Sequence, residues 1–200
     1  TEEAAKELGL TVETKVVCGG GDGACSALGA GCVEAGEMFL CFGTSAWIAG
    51  TTDEKVLDDA KQCMCFAHVI PGKYVPCGTM QSAGSAYSYI RNTFCQEEIQ
   101  RAKELGKSSW ELMNALVEQS PAGAKGLIFL PYLAGERSPR LKPVASGSFL
   151  GVRMYHEKTD YIRSVLEGVA MNMELILQAH RKNIPVEKMI LTGGGAKGEI

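Results

Sequence analysis

Glycine-rich turns carry the residues of this chain that are best suited to chemistry. The first turn, residues 19–23, follows the β-branched run 14–18, which predicts a strand, and holds a single acid, Asp22, ahead of a small-residue helix. Loops between a strand and a helix often carry functional side chains, and the positive start of a helix favours an ionised carboxylate. An acid that only caps the helix would suit the same position. The turn by itself leaves both interpretations of Asp22 open and favours the cap.

Two further turns follow predicted strands in the same way. Gly43, Thr44 and Ser45 join two short apolar runs and so predict a hairpin turn. Backbone N–H groups and hydroxyls gathered in one turn can hold phosphate oxygens, while an ordinary tight turn uses the same residue types. Residues 193–195 are three glycines after another apolar run. Such turns at strand ends are typical of an α/β binding site.

Hydrophobic periodicity predicts the elements around these turns. Apolar residues at three- and four-residue spacing indicate helices, and the clearest helix covers residues 158–182. Its apolar stripe includes His180, which we interpret as a packing histidine rather than a catalyst. The other predicted helices cover residues 2–8, 83–94 and 108–116, and the predicted strands after the first turn cover 38–42, 46–49, 63–69, 73–79, 127–130 and 188–192.

Gly84 lies in the first turn of the helix predicted at 83–94, where glycine costs on the order of 1 kcal/mol relative to alanine. Close approach by a ligand or by another element would explain a glycine at this position. Farther along the chain, an irregular stretch carries Arg137, Arg140 and Lys142. These cations indicate either a solvated surface or a flap that faces an anion.

The composition excludes several classes of function. A net charge of −3 and a pI near 5.7 argue against nucleic acid as the main partner. The sequence also lacks the run of about 18 apolar residues that a membrane span needs. The set Cys63, Cys65, His68 and Cys77 lacks the paired spacing typical of zinc. We therefore expect a cytoplasmic protein with no residue assigned as a metal ligand, no nucleic-acid partner and no membrane partner.

Three classes of function remain. A Rossmann-type NAD-binding oxidoreductase domain is suggested by the pattern Gly19-x-Gly21-x-x-Ala24, although an acid stands inside that turn. A structural or binding module would not need three glycine-rich turns at strand ends. A sugar kinase needs groups that anchor phosphates and an acid that orients and deprotonates the attacking hydroxyl. The turns and Asp22 supply both, so the sugar kinase explains the set best.

In this order the motifs resemble those of the C-terminal domain of the FGGY carbohydrate kinases, most closely the xylulokinase-like members. The motifs are Gly-Gly-Gly-Asp at 19–22, Ala-Leu-Gly-Ala-Gly at 27–31, Gly-Thr-Ser at 43–45, Ala-Gly at 83–84, the run 129–139, Gly-x-Phe-x-Gly at 147–151 and Leu-Thr-Gly-Gly-Gly-Ala-Lys at 191–197. Each motif alone is unspecific, but together they run along most of the chain.

This resemblance implies a ribonuclease-H-like, actin-type ATPase domain of the α/β class, with a mixed sheet flanked by helices. It also implies ATP-dependent phosphorylation of a sugar hydroxyl, with Mg²⁺ bound together with the nucleotide. Asp22 matches the family's catalytic base and would contact the sugar. The nucleotide-binding positions that it implies are Gly43 and Thr44 for the phosphates, Gly84 close to the nucleotide, and Gly194, Gly195 and Ala196 for the adenosine.

The resemblance further implies that residues 1–200 form one truncated nucleotide-binding domain, with the family's N-terminal sugar-binding domain absent from this chain. We therefore expect the chain alone to bind nucleotide weakly and not to turn over sugar. Gly23 stands where xylulokinases usually carry an amide side chain that helps to bind the sugar. Kinases for gluconate, ribulose, fuculose or an L-sugar therefore stay open as alternatives, and so does a homodimer.

Overall fold

The computed structural model describes residues 1–56, 63–186 and 188–197. In this part of the chain a five-stranded sheet has helices on both faces, and two further strands form a second sheet. The helices are α1 (Glu2–Leu8), α2 (Asp22–Gly29), α3 (Gly84–Phe94), α4 (Gln96–Leu105), α5 (Ser109–Val117) and α6 (Lys158–Arg181). The strands are β1 (Met38–Phe42), β2 (Ala46–Gly50), β3 (Met64–Ala67), β4 (Tyr74–Met80), β5 (Ile128–Leu130), β6 (Ser148–Leu150) and β7 (Met189–Thr192).

The central sheet is mixed and has the strand order β3-β4-β2-β1-β7. Its antiparallel pairs are β3 with β4, β4 with β2, and β2 with β1, whereas β7 pairs in parallel with β1. Tight turns at residues 43–45 and at Pro71–Gly72 close the two hairpins, as the turn residues predict. The mixed sheet flanked by helices is therefore the predicted architecture.

Two hydrophobic clusters hold helices against the two faces of this sheet. Side chains alternate between the faces along each strand, so β1, β2 and β4 each contribute to both clusters. The cluster under α6 includes Met38, Ile48, Met80, Ile162, Val165, Val169, Met173 and Ile176. The cluster under α2 includes Ala24, Ala27, Phe39, Ala49, Val75 and Cys77. The small residues of α2 allow it to pack closely on the sheet, which fixes where the helix begins.

His180 belongs to the buried face of α6. Its side chain is 2% exposed, and its Nε2 lies 3.0 Å from the carbonyl oxygen of Ile48 on β2. A buried polar group needs such a partner. The histidine therefore packs under the sheet, as predicted.

Asp160 anchors the start of α6, which Glu157 caps. Asp160 is fully buried, and its carboxylate accepts hydrogen bonds from the Glu157 N–H, the Ser120 hydroxyl and the Lys125 ammonium at 2.7–3.0 Å. Burial raises the pKa of this carboxyl, but these hydrogen bonds outweigh burial and hold the pKa below its usual value. The buried charge is thus paired and hydrogen-bonded.

The structure contains one helix that was not predicted, α4, and differs from the predicted strands at two places. Residues 14–18 form no strand, and Val16 and Val17 are 93% and 84% exposed, because no described strand lies beside them. β6 was not predicted, and it pairs with β5 through only three residues on each strand. A strand needs a partner for its backbone groups. Local β-propensity therefore predicts a strand at 14–18 that does not form, and it misses β6, which forms because β5 lies beside it.

Candidate active site

The turn at residues 43–45 is docked on the start of α3. The backbone N–H of Gly84 donates to the Gly43 carbonyl at 3.0 Å. The Thr44 carbonyl accepts from the N–H of Ala83 at 3.1 Å and from that of Ser85 at 3.0 Å. The first N–H groups of a helix have no partner within it, so the turn satisfies them. These bonds fix the turn against the helix.

Glycine at position 84 makes this docking sterically feasible. A Cβ at residue 84 would lie only 2.6 Å from the Gly43 carbonyl oxygen. Of the two predicted reasons for a glycine here, approach by another element is therefore observed. The same contact holds Gly84 beside Gly43 and Thr44, which are two of the predicted phosphate-binding residues.

The glycine turn after β7 packs on the end of β1. Gly193 has a φ of 91°, and a Cβ there would overlap the Phe42 carbonyl, while a Cβ on Gly195 would overlap the Phe42 ring. By contrast, apart from its two chain neighbours, no atom of the described residues lies within 4 Å of the Cβ position of Gly194. The Ala196 N–H donates to the Gly193 carbonyl and closes the turn. Since β1 and β7 run parallel, both glycine turns meet at one edge of the sheet.

Asp22 is the first residue of α2 and is exposed. The N-cap of this helix is Gly21, which has an extended backbone and provides no side-chain cap. The Asp22 Oδ1 instead accepts the N–H of the next residue, Gly23, at 2.8 Å. The interpretation of Asp22 as the helix cap is therefore wrong. Its second oxygen, Oδ2, has no hydrogen bond to the described residues and is available to another group.

The predicted nucleotide-binding residues lie close together, whereas Asp22 lies apart from them. Gly43, Thr44 and Gly84 are in direct contact, and the turn 193–196 packs on the residue that precedes Gly43. Asp22 begins the helix on the face of the sheet opposite α6. Within the described ranges, no hydrogen bond joins Asp22 to either glycine turn. A ligand that spans both positions would connect them.

Glu136, an acid in the irregular loop, is only 3% exposed, and no sequence pattern predicted its burial. Its Oε1 accepts the N–H of Gln81 at 3.2 Å and of Arg137 at 2.7 Å, and its Oε2 accepts from the Asn172 amide of α6 at 2.9 Å. Burial raises the pKa of Glu136, and these hydrogen bonds oppose the rise. Residues of irregular loops follow no periodic pattern, so only the structure reveals this contact set.

Comparison with known proteins identifies the family. The family model described as "FGGY family of carbohydrate kinases, C-terminal domain" matches residues 38–200. The chain belongs to this family.

Individual relatives within the FGGY family agree with this match. The gluconokinase of Bacillus licheniformis is 34% identical over 99% of this chain and 39% of its own length. The xylulose kinase of Staphylococcus epidermidis is 34% identical over 100% of this chain and 38% of its own length. The chain thus spans about two fifths of the length of these relatives.

Solved structures of the FGGY family have the same fold. A ligand-bound xylulose kinase from Lactobacillus acidophilus superposes with a TM-score of 0.83 and 29% identity, over 98% of this chain and 38% of that structure. The gluconate kinase from the same organism gives a TM-score of 0.84 and 28% identity, over 100% of this chain and 39% of that structure. The predicted ribonuclease-H-like, actin-type fold class is confirmed.

The Rossmann alternative is wrong. A Rossmann domain has a mostly parallel sheet and its glycine pattern directly follows a strand. Three of the four strand pairs in the central sheet are antiparallel, and residues 14–18 ahead of the glycines form no strand. The family of the chain is also not an oxidoreductase family.

The described residues lack both a metal-ligand cluster and a membrane-spanning helix. No group of three or more His, Cys, Asp or Glu side chains is arranged to hold a metal ion there. None of the helices described is long and apolar enough to cross a membrane.

Proposed function

We propose that this chain is the nucleotide-binding half of an ATP-dependent sugar kinase and also supplies its catalytic base. The observation that carries the proposal is the meeting of two glycine turns, 43–45 and 193–196, at one edge of the sheet, with Gly84 closing the first turn. Membership of the FGGY family supports the reaction type. The relatives' names suggest that the substrate is a ketose such as xylulose or a sugar acid such as gluconate.

In the proposed reaction Asp22 acts as the base. Its carboxylate accepts a hydrogen bond from the sugar hydroxyl and takes the proton as the oxygen attacks the γ-phosphorus atom of ATP. One P–O bond forms to the sugar, the P–O bond to the β-phosphate breaks, and ADP leaves with that electron pair. The proton on Asp22 then passes to solvent. An exposed acid with an open Oδ2 suits this role because it can reach an incoming hydroxyl.

The nucleotide is proposed to lie along the two turns. The Thr44 hydroxyl and the turn 43–45 would meet the phosphates, with Gly84 beside them. Gly194, Gly195 and Ala196 would line the adenosine. Open space at the Cβ position of Gly194 supports this arrangement. Phe42 occupies the space beside Gly193 and Gly195, but none of the described residues beyond the chain neighbours occupies the space beside Gly194.

Other parts of the proposed enzyme lie outside these residues. Magnesium would reach the site on the ATP phosphates, since it binds in proteins through one or two carboxylates, water and phosphate oxygens. The described residues contain no cluster that would hold the ion by itself. We also propose that an N-terminal domain supplies most sugar contacts, that the enzyme is cytoplasmic and that it forms a homodimer.

Nucleotide binding tests the proposal. We expect ADP with magnesium to bind the complete protein saturably in titration calorimetry, and Gly194→Leu to weaken binding at least tenfold because its side chain fills the proposed adenosine space. Urea unfolding should show that the variant folds normally, since none of the described residues beyond its chain neighbours comes within 4 Å of the Cβ position. Equal ADP affinity of wild type and variant would contradict the proposed nucleotide position.

A further inference from the structure

The proposed reaction does not use the buried acid Glu136, although burying a carboxylate costs free energy. A buried carboxylate is expensive unless hydrogen bonds compensate it, and Glu136 accepts bonds from three separate segments. These are the stretch after β4 at Gln81, its own loop at Arg137, and α6 at Asn172. The acid therefore joins the loop to the end of β4 and to α6.

These bonds fix the backbone of Arg137. Its N–H donates to Glu136 at 2.7 Å, and the next N–H along the chain, that of Ser138, donates to the Thr79 carbonyl of β4 at 3.0 Å. Two consecutive N–H groups are thus held, one by the buried acid and one by the strand. An arginine fixed in this way has a defined starting direction for its side chain.

The Arg137 side chain extends over the sheet towards β3. Its Nη2 lies 3.7 Å from the Met64 sulfur. Met64 pairs directly with Cys77 on β4, and directly paired residues of neighbouring strands lie on the same face. Cys77 belongs to the cluster under α2. The guanidinium therefore lies on the face of the sheet on which α2, and with it Asp22, is packed.

Electrostatics at Cys77 agree with this geometry. Burial raises the pKa of the Cys77 thiol, the charge of Arg137 lowers it, and the charge of Asp22 raises it. Both charges therefore act on one thiol. No ion pair between a carboxylate and Arg137 occurs among the described residues. Apart from the weak bond to the Met64 sulfur, the guanidinium therefore has donors for an anion.

We propose that Arg137 contacts the phosphoryl group while it passes to the hydroxyl held by Asp22, and that Glu136 is the residue that positions Arg137. This inference rests on the proposed function. Phosphoryl transfer concentrates negative charge on the equatorial oxygens, and a planar guanidinium can donate to two of them at once. Arg137 forms no covalent bond and transfers no proton. It stabilises the charge while the P–O bonds exchange.

The kinetics of the complete enzyme test the role of Arg137. We expect Arg137→Gln to lower kcat by about 100-fold to 1000-fold, as loss of one preorganised donor does, with the KM for sugar changed less than about twofold. Arg137→Lys, which keeps the charge, should lose less. Arg140→Gln is the matched control, because Arg140 is an exposed arginine of the same loop that forms no ion pair with the described residues. Its kcat should equal that of wild type.

Chemical rescue separates an electrostatic role from a structural one. Guanidinium chloride at low, non-denaturing concentration should restore part of the kcat of Arg137→Ala, because the free ion can occupy the vacated position. Glu136→Gln should lower kcat by roughly threefold to tenfold, in line with one weakened hydrogen bond. In the double variant Glu136→Gln/Arg137→Gln, kcat should be no lower than in Arg137→Gln alone, since both changes act through one group.

The outcomes distinguish this inference from the function on which it rests. A wild-type enzyme with no turnover on any sugar would overturn both. An active wild type whose kcat survives Arg137→Gln, or that shows no rescue, would overturn only the role of Arg137. A rise in KM confined to sugar acids, with kcat retained, would also overturn it, because the guanidinium would then bind the substrate's carboxylate.

Discussion

Replacement of Gly84 by alanine tests how the phosphate turn is held. A Cβ at this position would lie 2.6 Å from the Gly43 carbonyl oxygen, roughly 0.8 Å short of ordinary van der Waals contact at 3.4 Å. Both neighbours are backbone, so no flexible side chain can rotate away. Either the turn 43–45 or the start of α3 must therefore move.

The free-energy change combines three effects. Alanine gains up to about 1 kcal/mol in helix propensity, and forced overpacking costs about 1–3 kcal/mol. Displacement also weakens the hydrogen bonds to the Gly43 and Thr44 carbonyls, each of which contributes about 1 kcal/mol. We expect Gly84→Ala to lower the free energy of unfolding by about 1–2 kcal/mol. Propensity alone predicts the opposite sign.

Urea unfolding of the chain measures this change, with Gly29→Ala as the matched control. Gly29 ends α2, and in the described part of the chain no atom outside its own helix and chain neighbours lies within 4 Å of its Cβ position. Alanine there should therefore be neutral or stabilising. In the complete enzyme, a turn displaced by nearly 1 Å should lower kcat by up to about 100-fold. If Gly84→Ala matched Gly29→Ala in both stability and rate, the docking of the turn on α3 would not be what requires glycine.

Two further predictions concern stability. Asp160→Asn should lower the free energy of unfolding at pH 7 by about 1–3 kcal/mol, because an amide cannot accept all the hydrogen bonds of the carboxylate. The folded pKa is lowered, so this contribution is complete above the usual value of 3.8 and is lost as pH falls through the folded pKa. In urea unfolding the difference between wild type and Asp160→Asn should shrink below about pH 4, and a constant difference down to pH 2 would contradict the pairing. Gly168→Ala should destabilise the chain by about 1–3 kcal/mol, because its Cβ would overlap the Phe129 carbonyl and separate α6 from β5. An unchanged urea midpoint would show that α6 can shift without loss.

Local patterns predicted the fold where an element is long or bounded by clear turn residues. The stripe of α6 and the hairpin at residues 43–45 are examples, since periodicity and turn chemistry act within a few residues. Residues 14–18 show the limit, because a β-branched run becomes a strand only beside a partner. β6 shows the converse, since pairing with β5 decides its structure more than its own three residues do.

The candidate site was predictable for its glycines and not for its buried acid. Glycines at strand ends have a local signature. A glycine in the first turn of a helix, at position 84, also predicts that another group approaches it closely, although the sequence does not identify that group. Glu136 has no such signature, because two of its three donors, Gln81 and Asn172, are distant from it in sequence. For Asp22 the local pattern favoured a helix cap. The structure shows instead that Gly21 occupies the N-cap position and that Asp22 is the first residue of the helix.

The most direct test of the proposed function is sugar phosphorylation by the complete protein. A coupled assay of ADP release over ketoses, aldoses and sugar acids, with wild type beside Asp22→Asn, addresses substrate and base together. We expect one sugar to give turnover that falls by at least about 100-fold in Asp22→Asn, with the unfolding midpoint retained. Turnover that is equal in the variant would remove Asp22 from the chemistry, and a panel without any turnover would contradict the sugar kinase itself.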